Sequence, residues 1–135
     1  MEEVWDLVLS RGRMVWGLAV DDAHHFLSFG ADRANPGRGW VHVETSNASA
    51  EEILAALGRG DFYSSTGTRL EAVSAEMGEL LVMADRPSQI EFIGDGVVVE
   101  VVSGEEARLA VDRFEFLRAR VTNELGVAWV QPHFP

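Results

Sequence analysis

The sequence predicts an α+β fold, a short α/β N-terminal segment packed on a small antiparallel β-sandwich. Three observations carry that expectation. A chain of 135 residues with 47% hydrophobic content has the size of one domain and enough apolar surface for a packed core. Residues 1–60 mix helix-period patterns with a nearly unbroken apolar run, the texture of an α/β segment. Residues 61–135 switch to short alternating runs broken by turn dipeptides, the texture of antiparallel hairpins in a sandwich.

Taken in order, residues 2–11 read as a helix. Val4, Trp5, Leu7, Val8 and Leu9 supply a broad apolar face, Glu2 and Glu3 sit in the first turn, and Gly12 is a natural stop. Met14 to Val20 then reads as a strand covered on both faces, as in a parallel sheet. From Phe26 to Gly39 the residues Gly30, Asn35, Pro36 and Gly37 mark an irregular loop, and Trp40 to Glu44 a short strand. Ser49-Ala50-Glu51-Glu52 has the form of a capping box, in which Ser49 and Glu52 cap each other's backbone at the start of a helix ending near Gly58 and Gly60. Beyond Asp61, strands are expected at Phe62–Ser65, Arg69–Ala75, Glu79–Ala84, Gln89–Ile93 and Val97–Val102. Met77-Gly78, Arg86-Pro87 and Gly94-Asp95-Gly96 are the turn signals between them. Glu105 to Val111 is compatible with a helical turn or a loop. A last hairpin joins Phe114–Thr122 to Val127–Gln131 around Asn123-Glu124-Leu125-Gly126.

Composition narrows the function classes. With 22 acidic and 11 basic residues the formal net charge is -11, a field that repels phosphate backbones and argues against nucleic acid as a partner. The absence of cysteine removes disulfides, thiolate metal ligands and a thiol nucleophile, and suits a cytoplasmic protein. Met1-Glu2-Glu3 does not open like a signal peptide, and no apolar stretch has membrane-spanning length, so no membrane partner is expected.

One segment carries recognisable chemistry. Asp21-Asp22-Ala23-His24-His25 follows the apolar run, at the kind of strand end where α/β folds place reactive groups. Its Asp-x-His spelling offers a carboxylate oxygen and an imidazole nitrogen, donors that suit Zn, Mn or Fe. The stretch Val15-Trp16-Gly17-Leu18-Ala19-Val20-Asp21-Asp22-Ala23-His24-His25-Phe26 resembles the last strand and metal motif of the PHP family of metal-dependent hydrolases and phosphoesterases. Gly39-Trp40-Val41, Gly60-Asp61-Phe62-Tyr63-Ser64-Ser65-Thr66-Gly67 and Ala128-Trp129-Val130-Gln131-Pro132 resemble that family's C-terminal region in the same order. The resemblance is strongest to members whose barrel is followed by a small β-domain.

The resemblance implies that Asp22 and His24 are the final ligands of a cluster of two or three divalent metals inside a (β/α)₇ barrel. Asp21 and His25 inherit no role. The family's His-x-His pair and its middle Glu and His ligands have no counterpart here, and His42 and His133 stand alone, His42 on a strand face and His133 in a tail. Because a catalytic metal takes about three protein ligands plus a water position, metal binding is expected to be weak or absent in the isolated chain. No catalytic residue can be assigned. Arg33 and Arg38 are the candidate substrate-binding residues, since a guanidinium fork matches phosphate oxygens.

The expected function is that of a C-terminal portion of a PHP-type phosphoesterase, catalytically incomplete alone and serving as an interaction or accessory domain. Its partner would be a barrel-completing polypeptide or a second copy of the chain. The alternatives are an active phosphoesterase with a site completed by another chain, and a non-catalytic ligand-binding β-domain. Trp5, Trp16, Trp40 and Trp129 are expected in the core or an interface, and Thr66 and Gly67 at a structural join.

Overall fold

The computed structural model describes residues 1–135 as two helices and seven strands. In chain order these are α1 (Glu2–Leu9), β1 (Trp40–Val43), α2 (Ala50–Arg59), β2 (Phe62–Ser65), β3 (Leu70–Glu76), β4 (Glu79–Gly94), β5 (Val97–Ala110), β6 (Leu117–Asn123) and β7 (Gly126–Val130). Every strand pair is antiparallel, and the fold is α+β, two short helices on a curled antiparallel sheet. The order is β1-β2-β7-β6-β4-β3, with β5 on the other edge of β4. β4 organises the molecule because it changes partner along its length. Its first half pairs with β3 and its second half with β6, while β5 follows it throughout. A strand that turns between partners in this way wraps one sheet around its own core.

Alternation decides which side is inside. Leu80, Val82, Ala84, Ile90 and Phe92 of β4 meet Leu117, Ala119 and Val121 of β6 and Ala128 and Val130 of β7 in one buried cluster, joined by Ala107 and Leu109 of β5. The intervening residues of β6 and β7 point to the outer face, and two of them, Arg118 and Arg120, are charged. α1 covers that face. Arg118, 1% exposed, reaches Asp6 through two hydrogen bonds of 2.7 and 2.8 Å. It also lies 3.0 Å from Glu2 as an ion pair, and its guanidinium sits 4.8 Å from the Trp5 ring centroid. Arg120 bridges Glu2 and Glu91. Burial pushes the Glu2 carboxyl up, but the neighbouring Trp129 indole and the Arg118 and Arg120 cations outweigh it, and the net shift is downward.

Local signals explain the remaining elements. Ser49 caps α2 by accepting from the Glu52 N–H at 3.3 Å, and Gly60 closes the helix in the left-handed region. The reciprocal half of the expected capping box is replaced: Asn47 Oδ1, not Glu52, accepts from the Ser49 N–H. Met77-Gly78 and Asp95-Gly96 turn with positive φ at both central residues, the geometry that matches strand twist in two-residue hairpins.

Four expectations are corrected. Arg86-Pro87 is not a turn but an irregularity inside β4, where the ladder to β5 shifts between Met83 and Ser88 and a residue without an N–H costs no sheet bond. Glu105 to Val111 is neither helix nor loop: β5 runs to Ala110, with Ala107 and Leu109 buried by alternation. His133 is not a free tail residue, because it exchanges two backbone hydrogen bonds with Leu117. Met14 to Val20 belongs to no sheet, parallel or otherwise. No helix is long and apolar enough to cross a membrane.

Candidate functional site

Residues 14–20 are extended and lie on the outer face beside α1, held by side chains rather than by a neighbouring strand. Gln131, 2% exposed, accepts from the Gly17 N–H and donates to the Gly17 carbonyl, both at 2.9 Å. The Ser64 hydroxyl donates to the same carbonyl at 2.8 Å and accepts from the Ala19 N–H at 2.9 Å. The Trp5 indole donates to the Val15 carbonyl. The body therefore holds Val15, Gly17 and Ala19, whereas the backbone groups of Trp16, Leu18 and Val20 bond to nothing in the chain. In an extended chain these groups alternate between the two edges. All of the segment's backbone bonds thus fall on one edge, and the other edge makes none, its Val20 end packed against Gly39. The segment is also apolar and exposed, Leu18 at 61% and Val20 at 72%, and with α1 and Trp129 it lines a crevice of about 570 Å³.

The free edge ends at the Asp-x-His loop. Asp21 fastens that loop: its Oδ1 accepts from the Gly39 N–H at 2.8 Å and from the Arg38 N–H. Those amides, that of Gly39 foremost and with that of Gly37 between them, hold the Asp21 carboxyl below its ordinary range. Buried Asn35 is the second fastening, donating to the His25 and Ser28 carbonyls and accepting from the Gly30 N–H. Ala34 accepts from the N–H groups of both His24 and His25. Neither Asp21 nor Asn35 stands out in the sequence as functional. Each is legible only as a side chain that can satisfy backbone in a loop.

Asp22 and His24 are the exposed members of the motif. Asp22 sits at φ 48, an uncommon conformation for a residue with a side chain, and its carboxylate has no hydrogen-bond partner within the chain. His24 Nδ1 lies 2.7 Å from the Asp22 carbonyl. A carbonyl only accepts, so in the neutral ring Nδ1 carries the proton and Nε2 the lone pair. That is the tautomer of a metal-binding histidine fixed by a backbone acceptor. No third His, Asp or Glu joins them in a metal-binding group. One carboxylate and one imidazole are fewer than the three protein ligands a catalytic metal takes.

The two candidate substrate arginines are engaged within the loop. Arg33 donates to the Ser28 hydroxyl at 2.7 Å, and Arg38 to the Gly30 carbonyl at 2.6 Å. Both remain exposed. The structure thus brings Arg38 to Asp21 and Gly30, and gives Asp22 and His24 a common loop with free donor atoms. His42 and His133 lie elsewhere, on a cleft of the inner face.

No protein-family model, curated protein or solved structure matches the chain. The likeness to the PHP family rests on the motifs quoted above.

Proposed function

We propose that the chain is the closing part of a PHP-type metal-dependent phosphoesterase, an accessory domain working in the cytoplasm. In this reading it offers Asp22 and His24 to a divalent-metal cluster whose other ligands another polypeptide supplies. The observation that carries the reading is the half-satisfied segment 14–20. A strand of the partner pairing with the free edge of Trp16, Leu18 and Val20 would run alongside the two donors. The side-chain tethers on the opposite edge support this reading, because they hold the segment extended. The free Asp22 carboxylate and the Nε2 of exposed His24 fit the same role, and the solvent-exposed Arg33 and Arg38 suit a phosphate-bearing substrate once their loop contacts are exchanged for it. The metals, Zn, Mn or Fe, would supply an activated water, while this chain's contribution is two ligands and a pairing edge.

The test is metal content and phosphoester turnover, measured for the isolated chain and for its complex with a His-x-His barrel polypeptide encoded beside it. Stoichiometric metal confined to the complex, and lost in Asp22→Ala and His24→Ala, supports the reading. Stoichiometric metal with turnover in the isolated monomer would overturn it, as would a complex that loads metal equally well without either side chain. A dimer that loads metal through two copies of the loop would replace the barrel partner with a second copy.

A further inference from the structure

The inner face carries a second cluster of titratable groups, which includes neither Asp22 nor His24. β1 and β3 are the two ends of the curled sheet, and between them opens a cleft of about 1370 Å³. Within it the Leu70 N–H donates to the Tyr63 hydroxyl at 3.0 Å, which leaves the hydroxyl proton of Tyr63 free to donate. The His42 ring stacks on Tyr63 with centroids 4.6 Å apart and planes 18° from parallel.

The tautomer of His42 follows from its partner. The Trp40 indole N–H, which only donates, lies 2.7 Å from His42 Nε2. A neutral His42 therefore carries its proton on Nδ1. Burial, aided by the Arg69 cation, pushes the His42 pKa down and keeps the ring neutral at pH 7. Burial also pushes the Tyr63 hydroxyl up, against the Leu70 N–H and the same Arg69 cation, so it stays protonated. Arg69 immediately precedes the residue that touches the Tyr63 hydroxyl, lines the cleft and makes no ion pair. Arg59, the other arginine of the cleft, is already paired with Asp61.

This part of the cleft thus gathers a cation and two neutral donors, and the nearby Asp85 carboxylate is already paired with Arg86. The walls carry the opposite character: Glu44, Glu71 and Glu76 line the cleft without ion pairs. We propose that this cleft binds a small amino-carboxylate, with its carboxylate on Arg69, the Tyr63 hydroxyl and His42 Nδ1–H, and its ammonium toward the wall glutamates. A carboxylate fits better than a phosphate dianion, because the acidic walls repel the second charge without offering it a second cation. A few convergent polar groups in an otherwise accommodating concavity are the usual build of a small-ligand site. The inference stands apart from the metal loop and does not use it.

The experiment is an amide-resolved NMR titration of the full chain with free L-amino acids, their N-acetyl derivatives, their amides and inorganic phosphate. Saturable shifts at Leu70, Tyr63 and His42 are expected for free amino acids, weaker ones for the N-acetyl forms and none for the amides. Arg69→Gln should weaken binding about tenfold or more, since it removes a charged hydrogen-bond donor. Arg69 is exposed and unpaired, so the spectrum of the variant should otherwise match the parent. Asp22→Ala and His24→Ala should leave the titration unchanged, which separates this result from the metal-loop reading. No saturable shift with any free amino acid, equal binding of the amides, or tighter binding of phosphate would overturn the proposal.

Discussion

Replacing Arg118 by Met tests how α1 is held, and with it one wall of the crevice beside segment 14–20. The side chain is 1% exposed and serves Asp6 and Glu2, whose side chains are 13% and 31% exposed. Removing the cation leaves two carboxylates packed against the outer face without their main partner. Breaking a buried pair from one side costs about 3–5 kcal/mol. Glu2 keeps Arg120 and is nearly a third exposed, so water recovers part of its loss. The lower end, about 3 kcal/mol, is therefore expected. Asp6→Asn in the Arg118→Met background should return part of that loss, because the amide needs no counter-charge. The two substitutions should couple by about 1–3 kcal/mol. Urea unfolding of the parent, both single variants and the double variant gives the cycle. Additive effects, or a loss below about 0.5 kcal/mol for Arg118→Met, would refute the idea that this ion cluster anchors the helix.

Three further outcomes follow from the same geometry. Leu18→Pro should leave stability within about 0.5 kcal/mol of the parent, since the Leu18 N–H has no partner to lose, whereas Ala19→Pro removes the bond to Ser64 and should cost about 1 kcal/mol; thermal melts compare them. Gly67→Ala should destabilise by about 1–3 kcal/mol, because at φ 154 its Cβ would fall 2.0 Å from the Leu125 carbonyl oxygen; unchanged unfolding would contradict that contact. His42 and His133 both have folded pKa values pushed below their ordinary 6.5 by burial, so below pH 6.5 the unfolded chain binds more protons than the folded one. Their contribution is complete above pH 6.5 and is lost as pH falls through the folded values. Urea midpoints should therefore drop on acidification from pH 7, and the drop should shrink in a His133→Gln variant; a flat profile would exclude both histidines as its source.

The sequence and the structure agree where a short pattern has one physical solution. Ser49 and Gly60 bracket α2 because a cap hydroxyl and a left-handed glycine each answer a local need. Asp95-Gly96 marks its hairpin for the same reason. Disagreement arises where the deciding partner is distant. Met14 to Val20 has the composition of a buried strand, yet its hydrogen bonds go to Ser64 and Gln131, which lie 45 and 114 residues away from their partners in the chain. Nothing within the run tells which of its edges is satisfied. Arg86-Pro87 looks like a turn because proline cannot serve a regular ladder, but a shift in register accommodates it.

The candidate site divides in the same manner. Asp22 and His24 are visible as ligand types, and the loop keeps their donor atoms free. The roles of Asp21 and Asn35 emerge only from the backbone groups they satisfy. Arg69, Tyr63 and His42 are unremarkable in sequence, since only the curl of the sheet brings β1, β2 and the start of β3 to one cleft.

The half-satisfied strand is directly measurable by native-state amide hydrogen exchange across residues 14–20 of the isolated chain. The geometry predicts alternation, with slow exchange at Gly17 and Ala19 and fast exchange at Trp16, Leu18 and Val20. Pairing with a barrel strand should then slow the fast set and leave the slow set unchanged. Uniform protection along the segment, or uniform fast exchange, would contradict a tethered strand with one free edge and remove the support for its role beside Asp22 and His24.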